Sequence, residues 1–161
     1  MELIPFLQPS TNEIKKSIKG ILESYTNDWD LLAELLQNAV DAITLAKPEK
    51  PKIKISFNCY KKQIIIQDNV IGISSLQLPS LLAPFSTTKE EDYDSIGEKG
   101  VGLTFTIFSS NHFEIMTSQD GVTTSASIDG AKNWLQSKSD EDIKLKIEKK
   151  SINESDLKQG T

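Results

Sequence analysis

The chain has 161 residues, 37% of them hydrophobic and 25% charged, which suits one globular domain and excludes a disordered or fibrous protein. The formal net charge of −5 argues against direct binding to nucleic acid, and no apolar run reaches the roughly 18 residues that a membrane span requires. All eighteen basic residues are lysines, so the chain supplies no arginine to phosphate chemistry. A single cysteine, Cys59, and an N-terminus without a basic start favour a cytoplasmic protein.

Two amphipathic helices are predicted in the first third of the chain. Residues 10–13 have the pattern of a capping box, and apolar residues follow at helical spacing as far as Tyr25. A second helix is predicted from residue 27 or 28 to Ala46, because Pro48 follows closely. The first helix is expected to expose its lysines Lys15, Lys16 and Lys19.

The remaining chain alternates strands with short helices. Alternating residues over 53–57 and the apolar run 64–66 predict a hairpin that Asp68 closes. Further helices are predicted at 74–82 and 101–109, and further strands at 112–117, 122–128 and 143–149. This order predicts an α+β, two-layer sandwich with helices on one face of a mixed, mostly antiparallel sheet.

The second helix carries the first candidate site residues. At 100° per residue, Glu34, Asn38 and Asp41 lie on one narrow stripe that is bordered by leucines. No lysine occurs between Asp28 and Ala46, and a solvated helix face normally mixes lysines with its acids. The stripe therefore suggests a pocket wall, although a lightly charged solvent face has the same pattern.

Two further features follow along the chain. Asp68 ends a strand, where a carboxylate can accept a hydrogen bond from a ligand or simply start a turn. Gly97, Gly100 and Gly102 then lead into a helix, and such glycines let backbone amides approach an anion. Each feature is weak evidence alone, but their order along one chain is far more specific.

In this order, the segments Glu34–Ala42, Asp68–Gly72 and Gly97–Gly102 resemble the three signature boxes of the GHKL ATPases. That superfamily includes DNA gyrase, heat-shock chaperones, histidine kinases and MutL-type repair proteins. The third box is most similar to the chaperone-type ATPase modules of sacsin-like proteins. The resemblance implies the Bergerat ATP-binding fold with a lid over the nucleotide, here formed by residues 83–99.

The resemblance also assigns roles to residues of the first two boxes. It implies that Glu34 is the general base for the attacking water and that Asn38 is a ligand of Mg²⁺. Asp41 would support the site from the next turn of the helix. Asp68 would accept a hydrogen bond from the adenine amino group, and Gly72 belongs to the same loop.

The glycine box is expected to bind the phosphates. Its members Gly97, Gly100, Val101 and Gly102 would present backbone amides, and Lys99 is a candidate phosphate partner. The terminal Gly160–Thr161 pair looks like the start of the family's last motif, from which Thr161 would reach the adenine.

The resulting hypothesis is one domain, residues 1–161, that binds ATP and Mg²⁺ and hydrolyses ATP slowly or only with a partner. Lid closure would then act as a conformational or dimerisation switch, in the N-terminal module of a longer protein. Val70 stands where the second box of the family has a glycine, and a β-branched residue disfavours positive φ. The loop beside the adenine could therefore differ in shape, and a domain that binds nucleotide as a switch without hydrolysing it is the alternative. Residues 84–89 resemble a histidine-kinase lid, but the retained Glu34 favours a hydrolase. A purely structural domain would require the three boxes to be accidental.

Overall fold

The computed structural model describes residues 9–70, 72–85 and 100–151, which form helices and antiparallel strands. The α+β class predicted from the sequence is confirmed. The elements are α1 (Thr11–Ser24), α2 (Asp30–Ala46), β1 (Ile53–Asn58), β2 (Gln63–Asp68), α3 (Leu78–Leu82), α4 (Val101–Phe108), β3 (His112–Gln119), β4 (Val122–Asp129), α5 (Ala131–Gln136) and β5 (Leu145–Ser151). None of the helices in these ranges is long and apolar enough to cross a membrane.

The described strands form two sheets. β1 and β2 make the predicted hairpin, in which Ile55 pairs with Ile66. β3, β4 and β5 make a second sheet in that order, with both pairs antiparallel. The turn between β3 and β4 contains Asp120 and Gly121, both at positive φ, as the Asp-Gly sequence predicts.

The helix ends follow from local hydrogen bonds. The capping box of α1 is confirmed, since the Ser10 backbone amide donates to Glu13 Oε2 at 2.7 Å and Ser10 Oγ accepts from the Glu13 amide. The hydrogen bonds that the Glu13 carboxylate accepts from the backbone amide and the hydroxyl of Ser10 lower the pKa of Glu13 below its ordinary value. α2 begins slightly later than predicted, because Asn27 Oδ1 accepts from the amide of Trp29 and forms a turn before the helix.

The main core lies between the three-stranded sheet and the helices. Buried apolar side chains from α1, α3, α4, α5, β3 and β4 form this core: Ile18, Leu78, Leu82, Ile107, Phe108, Phe113, Ala126, Ile128, Ala131 and Leu135. Helix α5 contributes two of them and was missed in the sequence, because six residues are too short for a helical period to show.

The predicted exposure of Lys15 is wrong, because this side chain is 3% exposed. Its Nζ donates to the carbonyl oxygens of Ser139 at 2.7 Å and Ser137 at 3.1 Å. It also lies 4.5 Å from the centroid of the Trp134 ring, where a cation is attracted to the aromatic face. The lysine therefore ties α1 to α5 and to the segment that follows it.

Helix α2 lies where the hairpin meets the core. It packs against β2 on one side and against α4 on another. The first box is therefore on a helix that contacts both the strand that Asp68 ends and the helix whose first turn contains Gly102.

Candidate functional site

The Glu34 carboxylate is held between two partners. The Tyr25 hydroxyl donates a hydrogen bond of 2.8 Å to Glu34 Oε1. The other oxygen lies against Gly102 in the first turn of α4. A Cβ atom at position 102 would collide with Oε2 and would lie 2.7 Å from Cδ. Glu34 is half-buried, so both oxygens are positioned by the fold rather than by the side chain's own preferences.

Tyr25 was not among the residues selected from the sequence. It ends α1, nine residues before Glu34. Its ring stacks on the Phe105 ring of α4, with centroids 3.7 Å apart and planes inclined by 13°. Nothing in the periodicity of the sequence indicates this contact, because it joins a segment between two helices to a third helix.

The other two residues of the stripe on α2 differ in their exposure to solvent. Asn38, one turn after Glu34, is exposed, so its amide oxygen is accessible to a ligand. Asp41 is half-buried, and its Oδ1 accepts a hydrogen bond of 2.8 Å from Gln37 Nε2. Along the stripe, Glu34 and Asp41 are therefore half-buried, whereas Asn38 is exposed to solvent.

Asp68 occupies the last position of β2. It shares the half-buried face of the strand with Ile64 and Ile66, and β2 packs against α2. Its Oδ1 accepts a hydrogen bond of 3.2 Å from the Val70 amide, as in an Asx-turn. The turn-starting role considered for this residue is therefore present, and Asp68 also belongs to a strand that packs against the helix of the first box.

Gly72 is required by close packing against β3. Its amide donates to the Ser118 carbonyl oxygen at 3.3 Å. A Cβ atom at position 72 would collide with Thr117 Oγ1 and would lie 2.5 Å from that carbonyl oxygen. The glycine therefore lets the segment after β2 join the second sheet.

Val70 fits its position without backbone strain. Positive φ among the described non-glycine residues occurs at Lys47, Lys62, Phe85 and Asp120, so position 70 does not require a glycine. The Val70 side chain is 3% exposed and adds to the buried apolar surface. The β-branched residue is thus accommodated in the loop after Asp68.

The described part of the glycine box forms the start of α4. Gly100 precedes the helix with φ of 104°, a conformation that favours glycine. Val101 and Gly102 form the first turn, where helix amides have no partner within the helix. Gly97, Lys99 and Thr161, together with most of the predicted lid, lie outside the described residues.

Residues 25–161 match the family model described as histidine kinase-, DNA gyrase B- and HSP90-like ATPase. The chain belongs to this GHKL ATPase family. It is accordingly an ATP-binding domain of that family. The chaperone protein HtpG of Buchnera aphidicola subsp. Cinara cedri (strain Cc) is 31% identical over 133 residues, which represent 66% of this chain and 21% of the relative. The chain thus spans about one fifth of the length of this relative.

Among the residues selected from the sequence, Asn38 has an oxygen donor of the type that Mg²⁺ accepts. Within the described ranges, no group of three or more His, Cys, Asp or Glu residues could hold a metal ion by itself. Mg²⁺ commonly takes few protein ligands and completes its shell with phosphates and water. The exposed amide of Asn38, one turn from Glu34, suits such a ligand.

Proposed function

We propose that this domain binds ATP with Mg²⁺ and hydrolyses ATP slowly, with Glu34 as the general base. The observation that carries the proposal is the fixed Glu34 carboxylate, bonded by Tyr25 and seated against Gly102. A general base must be oriented towards the proton that it removes, and a carboxylate beside the first turn of α4 faces the segment proposed to bind phosphate.

In the proposed reaction, Glu34 accepts a proton from a water molecule as the water oxygen attacks the γ-phosphorus. The bond between this phosphorus and the β–γ bridging oxygen breaks, which leaves ADP and inorganic phosphate. Gly100, Val101 and Gly102 present backbone amides to the phosphate oxygens, where charge accumulates. Mg²⁺, when bound, neutralises phosphate charge, and Asn38 is the residue proposed to hold it.

The adenine is proposed to bind at the other end of α2. Asp68 accepts a hydrogen bond from its amino group, Gly72 borders the base, and Asp41 supports the site from α2. Gly97 and Lys99 are proposed phosphate contacts and Thr161 a proposed adenine contact, on the sequence resemblance alone.

We further propose that nucleotide binding closes a lid and drives association with a second copy, a downstream domain or another protein. The similarity to a chaperone protein supports a chaperone-like role for this switch. In this proposal, residues 1–161 are the N-terminal domain of a longer cytoplasmic protein, and turnover increases with the partner.

Calorimetric titration with a non-hydrolysable ATP analogue, with and without Mg²⁺, tests binding. Single-turnover experiments with protein in excess over labelled ATP test hydrolysis. Glu34→Gln should retain analogue binding and lower the rate constant by about 100-fold or more. Asn38→Ala should remove the magnesium dependence, and Asp68→Asn should weaken binding. Glu23→Gln, at an exposed position of α1, is the matched control and should change neither quantity.

Each outcome separates the alternatives. Failure to bind at millimolar analogue would refute the proposal. Binding without release of phosphate would identify a non-hydrolysing switch, and label transferred to protein would identify a kinase. Turnover that is unchanged in Glu34→Gln would exclude Glu34 as the base.

A further inference from the structure

Tyr25 makes two contacts that no assigned role explains. Its hydroxyl donates to Glu34 Oε1 at 2.8 Å, and its ring stacks on Phe105 with centroids 3.7 Å apart. Tyr25 is half-buried and Phe105 is buried. A tyrosine held at both its ring and its hydroxyl has little freedom to rotate, because only two side-chain torsions place these groups.

Both contacts converge on one strip of α4. Gly102 and Phe105 are three residues apart, so they lie on the same face of the helix. The Glu34 carboxylate packs against Gly102. The Tyr25 ring, whose hydroxyl bonds this carboxylate, stacks on Phe105. Helix α4 thus locates the glutamate directly at one oxygen, through Gly102, and indirectly at the other, through the tyrosine stacked on Phe105.

We propose that Tyr25 is a positioning residue for ATP hydrolysis. Its hydroxyl holds Glu34 Oε1, so that Oε2, beside the glycine box, accepts the proton from the attacking water. The stack on Phe105 keeps the hydroxyl in place. This inference rests on the proposed function of Glu34, but it concerns a residue outside the three boxes.

Tyr25→Phe removes the hydroxyl and retains the stacked ring. The single-turnover rate constant should fall about tenfold, because displacement of the general base slows the chemical step more than it weakens nucleotide binding. The dissociation constant for the ATP analogue should stay within about twofold of the original value. Tyr60→Phe is the matched control, since Tyr60 is fully exposed and loses the same atom.

A double variant distinguishes positioning from a general structural effect. In a Glu34→Gln background, Tyr25→Phe should cause no further loss of rate, because its effect passes through the missing carboxylate. A tyrosine that merely supports the fold would lower the rate by the same factor in both backgrounds and would lower the melting temperature. Phe105→Leu removes the stack and leaves the hydroxyl, so it should lower the rate with unchanged analogue affinity.

The outcomes separate this inference from the proposed function. An unchanged rate in Tyr25→Phe, alongside a strong loss in Glu34→Gln, would overturn the role of Tyr25 and leave the general base intact. A wild-type protein without turnover would refute the proposed hydrolysis and this inference with it.

Discussion

Replacement of Gly102 by alanine should remove most of the ATPase activity while the fold persists. The added Cβ would collide with Glu34 Oε2 and would lie 2.7 Å from Cδ. Non-bonded carbon atoms normally stay about 3.5–4.0 Å apart, so the carboxyl group has to move by about 1 Å. The group that moves is the end of a flexible side chain, and the backbone of α4 can therefore stay in place.

The energies of this substitution favour a kinetic effect over unfolding. Alanine stabilises a helix interior by about 1 kcal/mol relative to glycine, and this value is an upper bound for Gly102 in the first turn of α4. Displacement of Glu34 breaks the hydrogen bond from Tyr25, which lowers the free energy of unfolding by about 1–3 kcal/mol. These contributions partly offset each other, so the free energy of unfolding should fall by no more than about 2 kcal/mol. A catalytic group displaced by about 1 Å loses about 100-fold in rate.

Single-turnover phosphate release and denaturant unfolding measure the two effects separately. Gly20→Ala is the control, because Gly20 lies in α1 and a Cβ there would have no neighbour within 4 Å. It should stabilise the protein by about 0.5–1 kcal/mol and leave turnover unchanged. Full activity in Gly102→Ala would show that the contact with Glu34 does not position the base.

Three further predictions concern stability. Gly72→Ala should lower the free energy of unfolding by about 2–4 kcal/mol, because its Cβ would meet the backbone of β3, and an unchanged denaturation midpoint would contradict this packing. Lys15→Met should cost about 1–3 kcal/mol in the same assay, since the carbonyl oxygens of Ser137 and Ser139 lose their donor, whereas the exposed Lys16→Met should have little effect. The hydrogen bond from Lys146 lowers the pKa of Asp129 in the folded protein. The stability that Asp129 contributes is therefore fully present above its unfolded pKa of about 4, and it is lost as the pH falls through the lower pKa of the folded state. The melting temperatures of wild type and Asp129→Asn should therefore converge as the pH falls through the folded pKa of Asp129, and a difference that stays constant from neutral to strongly acidic pH would exclude this ion pair as the cause.

Local signals predicted most elements of the fold correctly. The capping box at Ser10 and Glu13 defines the start of α1, and the alternation over 53–57 lies within β1. Both signals depend on residues within a few positions of one another, which the sequence displays directly. Helix α5 was missed because it is short and is stabilised by the burial of Ala131 and Leu135 in the core, which depends on residues far away in the sequence.

The sequence by itself determined the family, because three boxes in a set order are recognisable without coordinates. It also placed Glu34, Asn38 and Asp41 on one stripe of α2, since the helical period fixes relative direction. Only the tertiary structure decided that the Tyr25 hydroxyl bonds Glu34 and that the Glu34 carboxylate packs against Gly102. Periodicity reports which residues share a face, whereas the partner of that face depends on how separate elements pack.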